Sequence, residues 1–462
     1  MTFTRFALAA ALLAPLPAAA QVFNPTTYQL ENGLKVVVVE NHRAPIVSHM
    51  VWYRVGAADE VPGKSGIAHL LEHLMFKGTP SVPPGEFSKI VARMGGRDNA
   101  FTSSDYTAYF QNVAADRLEA VMKMEADRMR NLTLADKDVI TERDVVREER
   151  RSRTDNSPGA LLHEQVEAAL YVNHPYRRPI IGWDSEIAQL TREDALEFYR
   201  RWYAPNNAIL VVAGDVQPEK VKALAETYYG PLTPEAIPPR VRLEEPPPVA
   251  ARTVTVADAR VQQPSWSRSY LAPTYASAKD QTQPYALEVL AEIMGGGATA
   301  RLYKALVVEQ GIAAGASASY DPMALDHTTF SVGATPSPGV EVPKLQAAIE
   351  AELRKVVEQG ITPAEVERAK ARLRAGVAYA RDSLHTAAQV LGSALTTGQQ
   401  VADVEEWPGR IAAITADQVN AAARAVLNDR ASVTGILLPA PGAAPAPASR
   451  GAAAPMPSKE LR

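Results

Sequence analysis

The chain has 462 residues, 46% hydrophobic and 22% charged, with a net charge of −4 and a pI near 6.1. Its length exceeds one ordinary domain, its composition is that of a soluble globular protein, and its charge argues against a nucleic-acid or membrane-surface binder. It has no cysteine, which excludes disulfides, thiolate ligands and a lipoprotein anchor, so any metal must be held by His, Asp or Glu.

In chain order, residues 1–20 come first. One basic residue, Arg5, precedes an apolar stretch that ends in Ala18-Ala19-Ala20. This is the layout of a secretory signal peptide with an A-x-A cleavage site, and it predicts export to a bacterial periplasm. A retained N-terminal anchor is the alternative, but the stretch is short and broken by proline. No stable membrane anchor is expected.

KVVVVE (35–40) and VSHMVWYRVG (47–56) read as adjacent strands joined by the turn ENHRAP. Helices are predicted over 67–76 and 85–94, then a hairpin over 99–113. RLEAVMKMEADRMRN predicts an amphipathic helix, and ADKDVITERDVVREERRSR a long charged one. Helices around Trp183 and after Thr191 lead to the closing strand AILVVAG. The fold class is α+β, with antiparallel strands and helices packed on a sheet.

The chain then repeats itself. Trp183 and Trp407, Ile187 and Ile411, and Thr191 and Thr415 all stand 224 residues apart. Each Thr is a good N-cap for a helix that leads into an apolar strand. The expected organisation is a first domain over 22–230, an extended Pro-rich linker over 231–251 and a homologous second domain over 252–440. The Ala/Pro-rich tail, 441–462, is predicted to be disordered.

Within the first predicted helix lies HLLEH, residues 69–73. On a helix, His69 and His73 are i and i+4 and share one face. Both imidazoles can reach one ion, with Glu72 beside them. HxxEH is the reverse of the HExxH zinc-protease motif. A hydrolytic zinc takes three protein ligands and leaves one position for water. The bland alternative is an amphipathic helix with two satisfied histidines, whose Leu70, Leu71 and Leu74 face a core. A third ligand has to come from elsewhere. Glu142 and Glu149 lie seven apart on one face of the charged helix, whereas Glu148 is rotated by about 100°. Spacing alone leaves that choice open, because ERDVVREERR also reads as a solvated helix.

GIAHLLEHLMFKGT, followed seventy residues on by ERDVVREE, resembles the pitrilysin/insulysin family of inverted zinc metallopeptidases. The similarity is greatest to the short bacterial and mitochondrial-processing-peptidase type. NGLKVVVVE, VGAADE, NAFTSSDYTAY, HPYRRPIIG and the duplication extend it over nearly the whole mature chain. The resemblance implies one zinc per chain, held by His69, His73 and Glu149. It implies Glu72 as the general base and Glu142 as a further catalytic-site carboxylate that supports the metal. It also implies that Asn99, Ala100, Phe101 and Thr102 form an edge strand that binds substrate by β-augmentation. Each domain would be a mostly antiparallel sheet packed with helices, and the chain one half of a clamshell.

The second half departs from the complete-enzyme pattern. Active members of the family carry an Arg and a Tyr seven residues apart that contact the substrate carbonyl and stabilise the oxyanion. In YKALVVEQGIAAGASA those positions are Val307 and Ala314. Arg301 lies nearby, in an ARLY segment that the family keeps whether or not the pair is present. Three readings follow. The first is a zinc endopeptidase acting on peptides or unfolded segments, whose paralogous partner subunit supplies the Arg/Tyr pair. The second is a self-sufficient homodimeric peptidase, and the third a non-catalytic scaffold.

Overall fold

The structure, a computed structural model, describes residues 22–441. The expected signal segment and the tail beyond residue 441 lie outside the described residues. Eleven strands are described: β1 (Thr26–Gln29), β2 (Lys35–Glu40), β3 (Ile46–Tyr53), β4 (Arg97–Thr102), β5 (Thr107–Ala114) and β6 (Ala208–Gly214) in the first half, and β7 (Arg252–Asp258), β8 (Ser265–Ala272), β9 (Ala313–Tyr320), β10 (Thr328–Pro336) and β11 (Ser432–Pro439) in the second. The first half's helices are α1 (Ile67–Leu74), α2 (Glu86–Arg93), α3 (Leu118–Asn131), α4 (Asp136–Arg150), α5 (Pro158–Leu170), α6 (Asp184–Ile187), α7 (Arg192–Trp202) and α8 (Pro218–Tyr228). The second half's are α9 (Gln283–Gly295), α10 (Val342–Gln359), α11 (Pro363–Asp382), α12 (Leu384–Thr396), α13 (Val401–Ala413) and α14 (Ala416–Val426). Residues 231–251 hold no helix or strand. Among the described residues, no helix is long and apolar enough to cross a membrane.

The strands form two sheets, β1-β2-β6-β3-β5-β4 and β7-β11-β8-β10-β9. Apart from β1, the two orders correspond strand for strand. β6 runs parallel to β2 and antiparallel to β3, and β11 runs parallel to β7 and antiparallel to β8. β6 and β11 begin 224 residues apart, the offset of the sequence repeat. Thr191 and Thr415 each cap their helix, and each is answered by a side chain three residues on, Asp194 or Gln418.

One expectation fails. β2 and β3 are not neighbours, because β6 lies between them. All seven residues of β6 are buried, so it belongs at the sheet centre, covered on both faces. The segment 41–45 crosses the end of β6 instead of closing a hairpin: Asn41 N–H donates to Gly214 O at 2.8 Å and Asp215 N–H to Ile46 O at 3.0 Å. The sheet is therefore mixed, though mostly antiparallel.

β2 reads KVVVVE without alternation because both its faces are covered. Val36 and Val38 join a core with α1 and α3. Val37 and Val39 join a second core with Ala388, Leu391 and Leu395 of α12, a helix from the other half. The converse also holds: Leu162, Val166 and Leu170 of α5 pack with Val433 of β11 and with Val254 and Val256 of β7. Each half thus lends a helix to the other's sheet. Contact is close at Gly392 of α12, where a Cβ atom would stand 2.0 Å from Trp52.

Candidate metal centre

Helix α1 exists because Ile67, Ala68, Leu70, Leu71 and Leu74 enter the core. That stripe leaves His69 and His73 on the face turned to α4. His69 Nε2 stands 3.8 Å and His73 Nε2 3.4 Å from Glu149 Oε2. One ligand atom from each of the three residues falls within 4.8 Å of the others. Ligands about 2.1 Å from a shared tetrahedral ion lie about 3.4 Å apart, so small side-chain rotations suffice. Two imidazoles and one carboxylate are a donor set that zinc accepts, with a fourth position free.

Glu142, two helical turns before Glu149, contacts His73 Nδ1 at 3.1 Å through Oε2. Its Oε1 receives Lys77 Nζ at 2.5 Å. A carboxylate on Nδ1 fixes the tautomer that leaves Nε2 free to bind an ion. The bond from His73 holds the Glu142 carboxyl below its ordinary value, helped by Lys77. Burial lowers the His73 pKa, but Glu142, Glu149 and Glu72 outweigh it and the net shift is upward. Burial, with His73 and Arg153 nearby, pushes His69 down to about 3. His69 is therefore a neutral imidazole, the form that ligates. Its Nδ1 is buried without a hydrogen-bond partner among the described residues.

Glu72 is buried, with 9% exposure. Burial raises its pKa, while the Thr102 hydroxyl and His73 pull it back. Thr102 Oγ1 donates to Glu72 Oε2 at 2.5 Å. The four residues Asn99–Thr102 lie on β4, which pairs with β5 alone and forms the sheet's outer edge. Thr102 faces α1, while Phe101 faces Trp52 and Tyr106 across the sheet.

In the second half, Val307 sits in the helical turn Tyr303–Glu309 and Ala314 on β9, exposed. Arg301 is engaged within the second half. Its guanidinium binds Glu365 through Nε at 2.5 Å and Nη2 at 2.8 Å, and Nη2 also donates to Gly360 O.

Three contacts escaped the reading of the sequence, among them Lys77 on Glu142, and Arg153, whose Nη1 reaches Glu149 Oε1 at 2.5 Å. Arg153 stands four residues after Glu149, a spacing that makes helix neighbours, whereas Lys77, just past the end of α1, reaches across to α4. The Thr102–Glu72 bond crosses from strand to helix and had no such signal.

The sequence model of the insulinase family, peptidase family M16, matches residues 35–184, and that of the peptidase M16 inactive domain matches residues 189–373. The chain belongs to this family of peptidases. It is 37% identical over 349 residues to the zinc protease PqqE of Helicobacter pylori, covering 75% of this chain and 78% of that one. A crystal structure of a protease from Helicobacter pylori superposes with a TM-score of 0.84 at 33% identity, over 90% of this chain and 99% of that one. The first half of the periplasmic protease PqqL from Escherichia coli superposes at 0.76 and 21% identity, over 91% and 93% of the two chains. That last likeness concerns the fold alone.

Proposed function

We propose that this chain is a zinc-dependent endopeptidase that hydrolyses peptides or unfolded protein segments. The observation that carries this reading is the convergence of His69, His73 and Glu149 beside the buried carboxylate of Glu72. A zinc bound by those three residues would polarise the scissile carbonyl and lower the pKa of water to about 7. Glu72 then accepts the proton of the attacking water and passes it to the leaving amine. Thr102 holds the Glu72 carboxylate in place, and Glu142 holds the His73 ring. The open edge of β4 receives the substrate backbone as an added strand, giving affinity without a strict sequence requirement.

We further propose that the chain is exported to the periplasm and acts as the zinc-bearing subunit of a heterodimer. Neither Val307 nor Ala314 can donate a side-chain hydrogen bond, and Arg301 is committed to Glu365. A paralogous subunit carrying the Arg/Tyr pair would supply the missing oxyanion donors. The division into a catalytic half up to residue 230 and an inactive half from 252 follows the same reading. The test is metal analysis of the purified chain, followed by peptide cleavage with and without the paralogue. Zinc at one per chain and activity that needs the partner are expected. Full activity of the chain alone would sink the heterodimer, and a metal-free chain would sink the peptidase.

A further inference from the structure

Helix α1 spans eight residues, too few to be stable without its surroundings. Its first residue is preceded by Gly66, which has a left-handed φ of 87° and no side chain to cap with. The exposed N–H groups of such an end need acceptors. The buried Glu60 carboxylate accepts from Gly66 N–H at 3.1 Å and Ala68 N–H at 3.0 Å. Glu186 Oε2 accepts from Ser65 N–H at 2.7 Å.

Glu186 belongs to a segment, 182–186, that also grips the other ligand-bearing helix. Trp183 N–H donates to Ser65 Oγ at 3.0 Å on the α1 side. On the α4 side, Arg150 Nη1 donates to Gly182 O at 2.9 Å and to Glu164 at 2.7 Å, buried. Arg147 forks onto Asp184 at 2.8 and 3.0 Å. Gly182 and Gly66 meet so closely that a Cβ on Gly182 would lie 2.7 Å from Gly66 Cα. The segment is therefore tied to the start of α1 at one side and to the end of α4 at the other.

We infer that residues 182–186 are a spacer that sets the separation of α1 and α4, with Glu186 the positioning residue at the α1 side and Arg150 at the α4 side. This rests on the proposed metal reading, since the spacing of the helices is the spacing of His69 and His73 from Glu149. The carboxylate of Glu186 binds Ser65 N–H and none of His69, His73 and Glu149, so its influence on the site passes through the entry to α1.

The test uses the full chain, stripped of metal and titrated with zinc against a chromophoric chelator, then loaded with cobalt(II) for its visible spectrum. Glu186→Ala is expected to weaken zinc binding about 10-fold, the scale of a lost outer support, and to change the cobalt spectrum. The thermal midpoint of its metal-free form stays at the wild-type value. Glu186→Gln, which keeps an acceptor oxygen, restores both affinity and spectrum. Ser65→Ala, which cuts the Trp183 tie, weakens zinc in the same direction and serves if Glu186→Ala does not fold. Wild-type affinity and spectrum in the alanine variants overturn the inference, as does a loss of affinity matched by a fall in the metal-free midpoint. Wild-type protein that takes up neither zinc nor cobalt overturns the metal reading itself, and the inference with it.

Discussion

As the proposed base, Glu72 has to meet two demands that conflict in water. It must be unprotonated to take a proton, and basic enough to be worth using. Burial raises its pKa, and the Thr102 hydroxyl, which donates to Oε2, pulls it back and keeps the carboxyl aimed. Glu72→Gln keeps the shape and removes the base, so kcat should fall by roughly 10²–10⁴-fold while zinc content stays at the wild-type level. Peptide assay and metal analysis of one preparation check both halves of that statement. Glu142→Ala should do the opposite: His73 loses its anchor, and zinc affinity falls about 10–100-fold, read by chelator competition. Both residues were legible in the sequence, but by different routes. His69, Glu72 and His73 follow from helical spacing. Spacing alone does not choose Glu149 over Glu142 or Glu148, because a charged helix offers several carboxylates; the family resemblance singles out Glu149, and in the structure both Glu142 and Glu149 stand against His73.

At the scale of elements, α11 shows how one helix start is held by charge. Glu365 closes the capping box with Thr362 and receives the fork of Arg301. The Arg301 bond first, then the Thr362 bonds, push its pKa from 4.5 down to about 2 against burial. A depressed carboxyl stabilises the fold above its unfolded value and loses that contribution as pH falls through its folded one. Glu365→Gln should therefore be less stable than the wild type at pH 5 and above. The gap should close between about pH 4.5 and pH 2, as followed by thermal unfolding across pH. Caps of this kind are local, which is why the Thr191 and Thr415 helices could be placed from sequence. The strand order could not. Nothing near residues 35–56 signals that a strand starting at residue 208 separates β2 from β3, because that pairing depends on which strand is buried on both faces.

For the whole molecule, the two halves are joined by exchange as well as by sequence. α12 closes the first sheet and α5 the second. Neither role was visible in the repeat, which shows two equivalent units but not that each unit's helix covers the other's sheet. Gly392 packs tightly in this arrangement, against the buried indole of Trp52. Gly392→Val should cost roughly 1–3 kcal/mol through overpacking, seen as a lower calorimetric Tm for the whole chain, not for one half.

This exchange makes the peptide connection between the halves redundant once folding is complete. Val249, 85% exposed in the connecting stretch, is a place where a protease could nick the chain. The two fragments would then remain gripped, each by a helix it does not own. They should elute as one particle in native chromatography and separate only in denaturant.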